Sequence, residues 1–148
     1  MKKNNSINKE IILNSKVGKK FVNRLMINGK KQKAEQILLN TISMLHKNAA
    51  YSLTKAVANV KPILEVRSIR LRGSNYQVPV PIMEKRRMSL AVKWIVNSAK
   101  KRGGKSMSLK LKDEILLAQK NQGDSVKKKI TTHKLACSNR AFNHFRWF

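Results

Sequence analysis

Between Ser74 and Ile82 the chain reads SNYQVPVPI, and its two prolines restrict the fold more than any other feature. Pro79 and Pro81 are two residues apart, so on a strand both missing N–H groups lie along the same edge. That edge cannot pair, whereas Val78 and Val80 can bond to a strand on the other side. The segment therefore belongs to a two-stranded ribbon whose outer edge resists strand addition. The preceding VRSIRLRG supplies the partner strand, with Gly73-Ser74 as the expected turn. Alternation places Tyr76, Val78, Val80 and Ile82 on one face, available to pack on helices. On the first strand Leu64 and Val66 share one parity and Ile69 and Leu71 the other, which predicts a bulge or strong twist near Ser68. A free ribbon of this size is marginally stable, so it must lean on helices or on a partner.

The rest of the chain has helical periodicity. Phe21, Val22, Leu25 and Met26 predict a first helix stopping at Asn28-Gly29. Ala34, Ile37, Leu38, Thr41, Ile42 and Leu45 form one face of a second, and Leu53, Ala56, Val57 and Val60 mark a third that Pro62 must end. Ala91, Trp94, Ile95, Ser98 and Ala99 line a fourth, from the Glu84-Lys85-Arg86-Arg87 cluster to Gly103-Gly104. Leu111, Ile115 and Ala118 mark a fifth, capped by Ser106 or Ser108 and stopping at Gly123. A sixth, capped by Asp124 or Ser125, carries Leu135, Phe142 and Phe145 on one stripe. The expected architecture is mainly α: a single domain of six helices with a protruding β-hairpin between the third and fourth. Residues 1–18 read as a solvated basic tail, and 19–148 as the helical domain with its arm at about 63–82. A chain of 148 residues fits one core.

Charge limits the function. Lys and Arg number 33 against 7 Asp and Glu, a net charge of +26. So many unpaired cations repel one another until a polyanion neutralises them. No apolar run approaches the roughly 18 residues of a membrane span, and the N-terminus lacks the pattern of a secretory signal or a transit peptide. The single Cys137 excludes an intrachain disulfide. Arg67, Arg70 and Arg72, followed by Arg86 and Arg87, make a cationic ribbon with no acid between Glu65 and Glu84. Guanidinium forks bind phosphate oxygens and stack on bases, and Gly73 and Ser74 let the tip approach a backbone. Duplex DNA readers favour a helix in the major groove. A body with several basic projections suits folded RNA, gripped through phosphates, 2′-hydroxyls and shape.

Four stretches, FVNRLMINGKKQKAEQIL, NVKPILEVRSIRLRGSNYQVPVPI, RRMSLAVKWIVNSAKKRGGKSMSLKL and SVKKKITTHKLACSNRAFNHFRW, occur in one register from about Lys19 to Trp147. Together they resemble the small-subunit ribosomal protein seven family of bacteria and organelles. The resemblance implies a noncatalytic structural constituent of the ribosome that binds and organises the 3′ major, or head, domain of small-subunit rRNA. It implies an arm near the tRNA exit site and the mRNA path. Implied partners are the rRNA, neighbouring head and platform proteins, and tRNA and mRNA near that site, with no cofactor, membrane or small-molecule substrate. Carried onto this chain, the RNA-binding candidates are Lys19, Lys20, Lys30, Lys31, Lys33, Arg67, Arg70, Arg72, the tip Gly73, Ser74, Asn75 and Tyr76, then Arg86, Arg87, Lys100, Lys101, Arg102 and Lys105. Arg72 stands where the family often has a second glycine, and Ile69 where a basic residue is common. The ending SNRAFNHFRWF is closer to mitochondrial members, which points to a mitochondrial ribosome, with plastid or bacterial cytoplasm as alternatives. The alternative function is a free-standing nucleic-acid chaperone or DNA-binding protein.

Other residues carry weaker signals. Asp113-Glu114 is the only adjacent acidic pair, and neighbours on a helix point apart, so a capping and dipole role fits better than catalysis. His133, Cys137 and His144 fall roughly on one helical face, but three groups along one rod cannot close a metal tetrahedron. Trp94 reads as core. Phe145, Arg146, Trp147 and Phe148 can either stack on bases or dock the terminal helix. Lys127-Lys128-Lys129 at a helix start opposes the dipole, which favours an anion nearby.

Overall fold

The computed structural model describes residues 11–45, 49–104 and 106–146. Its α-helices are α1 (Lys16–Leu25), α2 (Lys31–Met44), α3 (Ala49–Val60), α4 (Glu84–Lys101), α5 (Met107–Gln119) and α6 (Asp124–Ser138). The strands β1 (Leu64–Leu71) and β2 (Ser74–Pro81) form an antiparallel hairpin between α3 and α4. Two further helical segments correct the expected count of six: residues 11–14 precede α1, and a 3-10 helix (Arg140–Phe145) follows α6. The mainly helical body with one hairpin is as expected.

Helix α5 occupies the centre, where Leu111, Glu114, Ile115 and Ala118 are fully buried. Around it pack α2 through Leu38 and Ile42, α3 through Ala56, Val57 and Val60, and α4 through Ala91, Ile95, Val96 and Ala99. Phe21 and Leu25 of α1 close the cluster. Trp94 lies half-buried against this core. The expected tail falls outside the described residues up to residue 10; beyond it Ile12, Leu13 and Val17 pack on the core. Helix α1 ends at Leu25, three residues ahead of Asn28, and the turn itself uses positive φ at Asn28 and Gly29.

The hairpin departs from expectation at its tip. The register pairs Leu71 with Ser74, so the two-residue turn is Arg72-Gly73 and not Gly73-Ser74. Both have positive φ, 47° and 85°, as a type I′ turn requires. The prolines explain the shift. A two-residue turn makes its flanking pair hydrogen-bonded, and bonded and non-bonded pairs then alternate along an antiparallel ladder. A Gly73-Ser74 turn would set Pro79 and Pro81 at bonded positions, where each lacks the required donor. Moving the turn back one residue sets them at non-bonded positions opposite Val66 and Leu64, and gives Val78 and Val80 the bonded ones opposite Arg67 and Glu65. The Ile82 amide continues the alternation by donating to the Ile63 carbonyl at 3.1 Å. An arginine in left-handed backbone is the cost of keeping that register.

Pairing runs one to one from Leu64↔Pro81 to Leu71↔Ser74, so no bulge occurs at Ser68. The change of parity in β1 reflects surroundings that alter along the arm. At the base Glu65, Val78, Pro79 and Val80 are buried from both faces, while residues 72–75 at the tip are exposed.

The sixth helix also stops earlier than its apolar stripe. Asn139 donates from its side-chain Nδ2 to the Leu135 carbonyl at 2.8 Å, closing the last turn of α6. Leu135 is left 53% exposed, and the tighter 3-10 helix redirects Phe142 and Phe145 onto the arm.

Neither Asp124 nor Ser125 caps α6 with its own side chain. Glu114 of α5 does so from outside, its Oε1 accepting from the Ser125 amide at 3.1 Å and the Ser125 hydroxyl at 2.7 Å. Its Oε2 takes Arg102 Nε and Nη2 at 3.0 and 2.6 Å. Gly123, at φ 96°, allows this approach: a Cβ there would lie 3.1 Å from Glu114 Oε1.

Candidate nucleic-acid interface

Every carboxylate among the described residues is engaged, which determines which cations remain available. Glu65, with 11% of its side chain exposed, lies between two arginines. Arg67 donates from Nε and Nη2 at 2.8 and 2.7 Å, and Arg86 from Nε to both oxygens at 3.1 and 2.9 Å. Burial alone would raise the Glu65 carboxyl, but the hydrogen bonds and charges of Arg86 and Arg67 outweigh it and hold the group below its usual range. Each arginine side chain remains more than half exposed, 54% for Arg67 and 56% for Arg86. The carboxylate thus fixes two forked donors side by side at the arm's root.

Glu84 pairs with Lys61 and Arg87, and its carboxyl is lowered chiefly by the Lys61 hydrogen bond. Arg87 also donates to the Pro62 carbonyl at 2.9 Å, tying the start of α4 to the arm. Exposed pairs of this sort contribute little stability, and their value here is orientation. Arg102 is consumed by the internal bond to buried Glu114. Lys20 reaches the Lys85 carbonyl and the Ser89 hydroxyl.

The other candidates face solvent. Arg70 and Arg72 are exposed on the arm and, among the described residues, have no carboxylate partner. Lys19, Lys30 and Lys33 are exposed around α1 and the start of α2, and Lys31 makes only a long surface pair with Glu35 at 3.6 Å. Lys100 and Lys101 are exposed at the end of α4. Gly73, Ser74 and Asn75 form the open tip. Tyr76 faces the C-terminal segment, its ring centroid 5.4 Å from Phe142 and 5.0 Å from Phe145. Lys105, Trp147 and Phe148 lie outside the described residues. Of the α6 lysines, Lys127 pairs with Asp124 and Lys129 donates to the Asn59 carbonyl at 2.7 Å.

His133 has a role that its spacing did not suggest. Its Nε2 accepts the Ile63 amide at 3.1 Å, anchoring the arm's first residue to α6. Burial lowers its pKa below 6.5, and the Lys129 charge adds to this. The fold therefore prefers the neutral ring. The unfolded chain protonates first as pH drops through 6.5, so stability is full above that value and declines until the lower folded pKa is passed. Thermal melts from pH 7.5 downward should show stability falling in this window. His133→Ala should be less stable at high pH and lack that part of the decline; an identical decline in both proteins would disprove the role.

A family model described as ribosomal protein S7p/S5e matches residues 1–140. The chain belongs to this family. It is 43% identical to the small ribosomal subunit protein uS7m of Reclinomonas americana over 150 residues, covering 99% of this chain and 94% of that protein. It is 48% identical to uS7 of Borrelia hermsii over 141 residues, 90% and 88% of the two chains. The uS7 of Petrotoga mobilis is also 48% identical, over 132 residues. Membership makes the chain a structural, non-enzymatic component of the small ribosomal subunit. His133 and Glu114, the groups that invited a chemical reading, are used inside the fold.

Proposed function

We propose that this protein binds and organises the 3′ major domain of small-subunit rRNA through cations that the helical body holds at fixed spacing. The reading rests on the division of charges. The few carboxylates are spent on orienting arginines at the arm's root and joining helices, leaving the exposed Arg70, Arg72, Lys30, Lys33, Lys100 and Lys101 for an external polyanion. Phosphate neutralisation supplies affinity, and the fixed separation of arm, α2 and α4 supplies selectivity for one RNA shape. The exposed tip then approaches the tRNA exit site and mRNA path, with head and platform proteins as neighbours. The body from residue 19 onward, joined by Ile12, Leu13 and Val17 that pack on its core, acts as one domain. A mitochondrial ribosome is our reading of the location, supported by the uS7m relative, with the bacterial cytoplasm as the alternative supported by the Borrelia and Petrotoga proteins.

Chemical footprinting of small-subunit rRNA with this protein should show protection confined to the head domain. Excess duplex DNA should not reverse it at physiological salt. Protection scattered over other domains, or lost to equal amounts of DNA, would favour the free-standing chaperone or DNA-binding reading.

A further inference from the structure

The arm and the C-terminal segment together enclose a cavity of about 460 Å³, lined by Leu71, Arg72 and Tyr76 on one side and His144, Phe145 and Arg146 on the other. Its size is within the range of small-molecule clefts, roughly 300–1,000 Å³. The floor is aromatic and backed by packing: Phe145 rests on Tyr76 at 5.0 Å and on Phe142 at 6.3 Å, and His144 lies 3.9 Å from Phe145. The 3-10 helix fixes this stack, with His144 Nδ1 2.8 Å from the Ala141 carbonyl. Arg72, its backbone held left-handed by the turn, and Arg146 both line the groove. Among the described residues no carboxylate side chain lines the cavity.

We infer that this groove is a site for one unpaired nucleotide of an RNA strand, its base against the Phe145 and Tyr76 rings and its phosphate on Arg72. An aromatic floor accepts any base because every base has a π face. A guanidinium beside an aromatic surface, in a groove where no described carboxylate side chain competes for it, suits a group that is flat and apolar at one end and anionic at the other. An aromatic peptide would meet the first condition, but an acidic one would have to bring its carboxylate to the same guanidinium. The strong positive charge of the whole chain favours the polyanionic strand. The inference rests on the RNA-binding reading and adds a base-dependent contact to one otherwise based on phosphate.

The test uses the full chain and two probes of equal charge, a five-residue oligouridylate and the same backbone without bases. The oligouridylate should bind roughly tenfold or more tightly. Phe145→Leu keeps an apolar side chain and removes the ring, and should erase most of that ratio; Arg72→Gln should weaken both probes alike. Because Phe145→Leu can also undock the terminal segment, a second measurement needs no variant: 5-iodouridine in the oligomer should photo-crosslink to Tyr76, His144 or Phe145. A ratio near one, crosslinks elsewhere, or preference for an acidic aromatic peptide overturns the site. If rRNA binding is intact and the ratio is one, only the groove fails. If the ratio holds and rRNA is not bound, the groove stands and the ribosomal reading fails.

Discussion

Glu114→Ala should destabilise the protein by about 3 kcal/mol or more, lowering its melting temperature by roughly 10 °C. The carboxylate has no solvent exposure and serves two elements at once, the N-terminus of α6 and the Arg102 guanidinium. Its loss leaves the Ser125 amide without an acceptor and Arg102 without a counter-charge. Capping losses alone cost about 1 kcal/mol, and removal of one partner from a buried ion pair about 3–5 kcal/mol. Arg102 is 31% exposed and can reach water in part, which keeps the expectation at the lower end. A domain stable by only 5–15 kcal/mol would feel this strongly. Replacing both partners with leucine should recover part of the loss, because neither charge is then stranded. A Glu114→Ala protein that melts within 2 °C of the parent would show that α6 is held by apolar packing alone.

That bridge also shows what one sequence can reveal. The helices were legible because burial leaves a periodic trace: Ala34, Leu38 and Ile42 recur at helical spacing and are buried together. The hairpin was legible because Pro79 and Pro81 forbid pairing on one edge. The same two prolines contained the correct turn, since of the two dipeptides that include Gly73 only Arg72-Gly73 keeps both out of bonded positions; glycine content alone suggested the next dipeptide. Ion pairs left no such trace. Glu65 and Arg86 are 21 residues apart and Arg102 and Glu114 lie on opposite sides of a glycine turn, so their meeting depends on how helices pack. For this reason Arg67, Arg86, Arg87 and Arg102 read as one uniform cationic set, whereas the fold orients three of them and uses the fourth internally. The clasp of Tyr76 by Phe142 and Phe145 was hidden similarly, because a straight sixth helix would have carried those rings away from the arm.

The second large effect concerns RNA affinity. Replacing Arg70, Arg72, Arg86 and Arg87 by glutamine removes four cations that stand along the arm and its root. None of the four belongs to the buried core, but Arg86 pairs with Glu65 and Arg87 with Glu84 and the Pro62 carbonyl, so the variant should fold with a lowered melting temperature. Each lost phosphate contact should reduce the slope of log affinity against log salt by about 0.7. Four contacts amount to a slope shallower by about 3, with affinity for head-domain rRNA reduced roughly 100-fold or more at low salt. The root arginines should behave differently from the tip arginines in one respect. Glu65→Gln removes a negative charge and so should strengthen RNA binding if charge alone mattered. If the carboxylate orients Arg67 and Arg86, binding should weaken instead.

The salt dependence of head-domain rRNA binding, measured for the parent chain and the four-arginine variant, tests most directly whether a helical scaffold presents these cations to the RNA. The account predicts a steep parental slope and a variant slope shallower by about 3 in a protein that is still folded. Superimposable slopes and affinities would contradict it.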